Sequence, residues 1–88
     1  MPTYKVILLP TALDSLKSID REIGSRILDK LEWLSENFDY VRPVHLKGSL
    51  KGFYKLRVGN WRVVYEVDRD RLEIAVHFVG HRSQIYKL

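Results

Sequence analysis

Six residues in the second half of the chain, Lys55, Arg57, Arg62, His81, Arg82 and Tyr86, carry side chains suited to chemistry on an anion. Guanidinium groups hold phosphate oxygens through planar pairs of hydrogen bonds and stay charged. Cleavage of RNA by attack of a ribose 2′-OH on the neighbouring phosphate makes three demands. A proton must leave the 2′-OH, extra negative charge on phosphorus must be stabilised, and the departing 5′-oxygen must be protonated. Arginine meets the second demand and is a poor base. Lys55 can act as a base if like-charge repulsion from Arg57 and Arg62 favours its neutral form, and the Tyr86 phenol can carry a proton or position the 2′-OH. Histidine ordinarily titrates near neutrality, which makes His81 a candidate for proton transfer. A histidine beside a strand end also serves as a structural hydrogen bonder, so both roles stay open.

Other chemistries find less support. His45, His77 and His81 stand in different contexts with no carboxylate pair beside them, so no metal-ligand spacing is present and no cofactor is implied. No Ser-His-Asp arrangement can be drawn, and Gly48, Gly52 and Gly59 do not form a phosphate-binding loop with a following helix. The absence of cysteine excludes disulfides, thiolate zinc sites and a thiol nucleophile, and fits a reducing cytoplasm.

The element that must position the cations is residues 53–67, FYKLRVGNWRVVYEV, two alternating apolar runs around Gly59-Asn60. That pattern predicts a two-residue hairpin in which Val58 opposes Trp61 and Arg57 opposes Arg62. Alternation then puts Lys55, Arg57 and Arg62 on one face, with Tyr54, Leu56, Trp61, Val63 and Tyr65 on the other. Like charges directly opposite one another destabilise a strand pair. The cationic face is therefore either solvated or holds an anion. The neighbouring strand ends in Gly80-His81-Arg82, and the tail after it can return Arg82 and Tyr86 to the same face.

Charge is unevenly distributed. Residues 1–39 hold five Lys/Arg against seven Asp/Glu, and residues 66–88 hold four against four. The formal excess of +4 comes from residues 40–65, which contain Arg42, Lys47, Lys51, Lys55, Arg57 and Arg62 and no acid. Such a block implies a polyanionic partner, nucleic acid first, although an acidic protein also satisfies the electrostatics. Lys47 and Lys51 join Arg57 as candidates for binding the polyanion.

The 88 residues, 45% of them hydrophobic, suit one domain over 1–88 with a modest core. No apolar run approaches membrane-spanning length and the N-terminus lacks the pattern of a leader, so a cytoplasmic protein is expected. Residues 4–9, closed by Pro10, suit a buried first strand. Thr11 with Asp14 has the spacing of a capping box opening a helix with Leu13, Leu16 and Ile19 inward. A second helix over about 22–37 turns Ile23, Ile27, Leu31 and Leu34 inward, with Trp33 beside that stripe as packing. Residues 38–52, with Pro43, Gly48 and Gly52, have no period and read as a long connection. After the hairpin, residues 72–79 alternate with Leu72, Ile74, Val76 and Phe78 on one face. The expected fold is α+β: an N-terminal strand, a two-helix hairpin and a three-stranded antiparallel meander with one face open.

Leu46-Lys47-Gly48, the run from Tyr54 through Lys55, Arg57, Gly59-Asn60-Trp61 and Arg62 to Tyr65, and Val79-Gly80-His81-Arg82 followed by Tyr86 are similar in order and spacing to the RelE/ParE superfamily of bacterial toxins, and to its RelE branch in particular. The likeness covers nearly the whole chain. It implies the RelE-like fold and a messenger-RNA endonuclease that enters the A site of the 70S ribosome, cuts by 2′-OH attack, and is neutralised by an acidic antitoxin in a toxin–antitoxin hetero-oligomer. By position it implies a catalytic lysine at Lys55, a phosphate-stabilising arginine at Arg62, a second arginine at Arg82 and a catalytic tyrosine at Tyr86, with Arg57 in RNA or ribosome contact. The chain departs from the pattern at Phe53, where the RelE branch has another lysine, and at Val44, where some members have a Glu or His base and where His45 is adjacent. ParE proteins share the fold but inhibit DNA gyrase by binding and generally lack this catalytic set. The joint presence of Lys55, Arg62, Arg82 and Tyr86 argues against that branch. An inactive homologue that binds RNA or antitoxin is the third reading.

Overall fold

The turn Gly59-Asn60 closes the hairpin as its sequence requires. In the computed structural model, which describes residues 3–46 and 52–85, Gly59 has φ 59° while Asn60 stays out of the positive region. That is the pattern of a II′ turn, in which glycine takes the first central position. Strands β3 (Phe53–Val58) and β4 (Trp61–Asp68) then pair with Val58 opposite Trp61 and Arg57 opposite Arg62.

The sheet is larger than a meander. Strand β5 (Glu73–His81) pairs antiparallel with β4 on its far side, and β1 (Lys5–Leu8) adds parallel to β5, Lys5 opposite Glu73 and Leu8 opposite Val76. At the other edge, β2 (Val44–His45) pairs with Lys55 and Tyr54, giving the order β1-β5-β4-β3-β2. The segment expected to be an aperiodic connection thus holds a short strand. It also holds a 3₁₀ turn, Phe38–Tyr40, whose Phe38 is 2% exposed and packs its ring 4.9 Å from Tyr4 and 6.4 Å from Tyr65. A single buried aromatic followed by a β-strand of two residues leaves no periodicity to read.

Helices α1 (Pro10–Ser18) and α2 (Arg21–Asn37) cover one face. The capping box expected from Thr11 and Asp14 does not form. Pro10, whose fixed φ suits the first helical position, starts α1 two residues earlier, and Leu9 at the cap offers no side-chain acceptor. The inward face turns with it: Ala12 is buried, Leu16 and Ile19 pack partly, and Leu13 is exposed. Asp20 caps α2 through the Glu22 N–H at 3.3 Å, and Ile27, Leu31 and Leu34 enter the core against Val63, Tyr65, Ile74, Val76 and Val79. Trp33, expected to pack, is instead 46% exposed, with the Lys30 ammonium 4.1 Å from its ring centroid.

A register shift between Val64 and Tyr65 corrects the reading of β5. Val64 opposes Phe78 but Tyr65 opposes Val76, so His77 is the extra residue of a bulge. Beyond it the alternation inverts: Val79 takes the core position and Phe78 moves to the open face.

Burial pushes the Tyr65 phenol up to about 12 from an ordinary 10.0, with Tyr54 adding to the rise and Arg69 opposing it. The folded state therefore keeps a proton that the unfolded chain releases. Stability is full below pH 10 and falls as pH climbs toward 12, by at most about 2 to 3 kcal/mol. Denaturation midpoints measured across that range should decline in the wild type and decline less in Tyr65→Phe. An equal decline in both would assign the loss to other groups.

Candidate RNA-cleavage site

The open face of the sheet is electrically divided. Register places Lys55, Arg57 and Arg62 together near the hairpin tip, while Glu66, Asp68 and Glu73 occupy the opposite end beside Asp70 in the β4–β5 turn. A cleft of about 250 Å³ is lined by Val44, Lys55, Arg57 and Arg62, and a separate depression of about 460 Å³ is lined by Glu66, Asp68, Asp70 and Glu73 with Arg69.

Arg62 is the most constrained of the cations. It is 8% exposed, and its Nη1 donates to the Gly59 and Trp61 carbonyls, each at 2.9 Å. Both hydrogens of that nitrogen are thereby committed to the turn, leaving Nε and Nη2, the side-on pair of donors that matches two oxygens of a phosphate. No buried side-chain nitrogen or oxygen lacks a partner among the described residues, so these two donors reach solvent. Neither Arg62 nor the exposed Arg57 pairs with a carboxylate among the described residues. Two guanidiniums thus face one another across the hairpin.

Lys55 is half-buried between Val44 of β2 and Val64 of β4 in register. Strand alternation brings Val44 onto the cleft and sends His45 to the other face, where its ring lies 4.7 Å from that of Tyr54. The cleft therefore has no imidazole from β2.

His81 is also on the other face, which corrects its grouping with the cations. It opposes Trp61 in register and meets that ring edge-on at 5.7 Å. Its hydrogen bonds are those of a helix cap. The Ser83 N–H donates to His81 Nδ1 at 3.3 Å, the Ser83 hydroxyl lies 3.0 Å from the same nitrogen, and the His81 N–H donates to Gln84 Oε1 at 3.0 Å. His81 and Gln84 thus form a reciprocal capping box at the start of the short helix α3 (Arg82–Ile85), with histidine in the place usually taken by Ser or Thr. The His-x-x-Gln spacing is the sequence signal of this cap.

Arg82 lies beside the hairpin tip, its N–H donating to the Asn60 carbonyl at 2.8 Å. Gly80 opposes Arg62, and a Cβ there would fall 2.7 Å from the Phe78 ring and 2.8 Å from Gln84 Oε1, so any other residue would displace one of those side chains. Tyr86, Lys47 and Lys51 lie outside the described residues. Among the described residues no group of His, Asp or Glu is arranged to hold a metal ion.

Residues 6–86 match the family described as the ParE toxin of type II toxin–antitoxin systems, parDE. A RelE-like toxin protein of Escherichia coli is 34% identical over 89 residues, covering 97% of this chain and 92% of that protein. The chain belongs to the RelE/ParE superfamily of type II toxin–antitoxin toxins. The fold of this toxin is correspondingly shared with solved structures. The RelBE2 toxin–antitoxin complex of Mycobacterium tuberculosis superposes with a TM-score of 0.83 at 25% identity, over 94% of this chain and 95% of that one. A mutant of the Escherichia coli RelE toxin in the free state gives 0.77 at 21% identity, over 97% and 92%, a likeness of fold.

Proposed function

We propose that this toxin is a ribosome-dependent messenger-RNA endonuclease of the RelE kind, one domain over 1–88 acting in the cytoplasm and held in check by an acidic antitoxin. The observation that carries this reading is the cleft of Lys55, Arg57 and Arg62, in which two arginines lack a carboxylate partner among the described residues and one is braced by the turn. Arg62 stabilises charge on the scissile phosphate through Nε and Nη2. Lys55 and Tyr86 divide the proton transfers, since Val44 offers none, and Arg82 supplies a second guanidinium from the tail. Arg57, Lys47 and Lys51 hold flanking RNA or ribosome. The antitoxin partner is supported by the toxin–antitoxin complex among the structural relatives.

Primer extension on a message translated in a cell-free bacterial system tests the proposal. Cuts inside codons that require translation, and that vanish in Arg62→Ala/Tyr86→Phe, are expected. The description of the matching family favours a second reading, inhibition of DNA gyrase by binding. Intact message together with inhibited supercoiling would establish that one.

His81 acts here as a cap rather than a proton carrier. His81→Asn keeps an acceptor for the Ser83 N–H and should retain cleavage within a few-fold. His81→Leu should lose about 1 kcal/mol of tail stability and activity with it. A loss in His81→Asn as deep as that in Arg62→Ala would return His81 to the chemistry.

A further inference from the structure

The exposed indole of Trp33 takes no part in the cleft, yet cations gather around it. Between α2 and the hairpin tip runs a groove of about 490 Å³ lined by Arg26, Asp29, Lys30, Trp33, Arg57 and Gly59. Three of these are cationic and one is acidic. None of Arg26, Lys30 and Arg57 pairs with a carboxylate among the described residues. The Lys30 ammonium stands over the indole, and Arg26 Nη2 reaches to 3.6 Å from the position a Cβ on Gly59 would take. Arg26 is thus brought up to the same turn that braces Arg62, with Lys30 lining the same groove.

Arg57 belongs to both the groove and the cleft. Because β2 pairs with only Tyr54 and Lys55, β3 is the edge of the sheet from Leu56 to Val58, and Arg57 sits on that edge. A polyanion leaving the cleft in the other direction, along the open face, would meet Glu66, Asp68 and Glu73. The field therefore favours the path across the edge.

We propose that single-stranded RNA leaving the cleft crosses the β3 edge over Arg57 and stacks a base on Trp33, with Arg26 and Lys30 on its phosphates. An open aromatic face with cations around it is the general arrangement for binding a single strand without reading its sequence. The proposal rests on the reading of the cleft as an RNA site, and adds to it a flanking subsite on the helix side of the molecule.

The test uses 2′-O-methyl oligoribonucleotides of three and nine nucleotides, which 2′-OH attack cannot cut, with tryptophan fluorescence as the readout. The nine-mer is expected to quench the Trp33 signal and to bind about tenfold more tightly than the three-mer, the size of a base–aromatic stack. Trp33→Ala should abolish both effects and leave the three-mer affinity unchanged. Arg26→Glu/Lys30→Glu should abolish the length advantage and flatten the salt dependence of nine-mer binding. A length advantage that survives in Trp33→Ala overturns the proposal. So does a nine-residue glutamate-rich peptide that quenches Trp33 at lower concentration than RNA, because the groove is then a protein-docking surface. Arg62→Ala should weaken both oligonucleotides alike and retain the quench at saturation. Quenching by RNA in a protein that makes no cuts would remove the nuclease reading and leave this subsite standing.

Discussion

Arg62→Ala is expected to slow cleavage of translated message by on the order of a hundred- to a thousandfold, the cost of removing one preorganised donor from a developing oxyanion. The brace explains why the effect should be so large. Arg62 Nη1 is held by two carbonyls of its own hairpin, so the remaining donors are fixed before RNA arrives and no reorganisation is needed when charge builds on phosphorus. Arg62→Lys keeps the charge, but one ammonium cannot hold the turn carbonyls and present a side-on pair to phosphate. It should recover little. Thermal stability should change little in Arg62→Ala, because the loss of two part-buried hydrogen bonds is offset by relief of the repulsion from Arg57 directly opposite. A large fall in melting temperature, with cleavage reduced only in proportion to the folded fraction, would make Arg62 a structural residue.

Phe38→Ala is expected to have the largest effect on stability. The ring is 2% exposed and joins the end of α2 to the sheet by contact with Tyr4 before β1 and Tyr65 of β4, with the Arg69 guanidinium 5.1 Å from its centroid. Truncating a buried phenylalanine costs about 3 to 5 kcal/mol. An 88-residue protein has only about 5 to 15 kcal/mol in total. Urea denaturation should show the midpoint falling by about a fifth or more. A change below about 1 kcal/mol would mean that neighbouring side chains close over the cavity.

What could be read from sequence divides along physical lines. The hairpin was legible because Gly59-Asn60 sets the loop length, and a two-residue loop fixes every pair behind it, including Arg57 against Arg62. The stripe of α2 was legible because Ile27, Leu31 and Leu34 repeat at helical spacing over a long segment. A bulge leaves no comparable mark. His77 shifts the alternation by one residue, and everything after it, Phe78 and Val79 included, lands opposite to a simple count. The misplacement of His81 had a different origin, since it was grouped with the cations as the neighbour of Arg82, whereas its register and the capping box keep it beside Trp61. Trp33, expected to pack, is exposed, and Phe38, in a segment expected to be an aperiodic connection, is buried. Helical spacing places a residue beside a stripe without saying whether a neighbouring element covers it, and nothing local shows that a lone aromatic after a helix turns back into the core.

The parallel pairing of β1 with β5 also bears on when this protein becomes competent. In the sheet β1 has one neighbour, β5, and 64 residues lie between Leu8, where β1 ends, and Glu73, where β5 begins. At roughly 5 to 20 residues per second, synthesis holds the first strand without its partner for several seconds. Until β5 arrives, β4 has one edge bare and the helices have only part of a sheet to cover, so the hairpin that carries Arg62 cannot bury its apolar face. Long-range pairing of this kind also folds slowly. A chain whose earliest strand is completed by its latest is inert while it is being made, and its activity begins as a single late event.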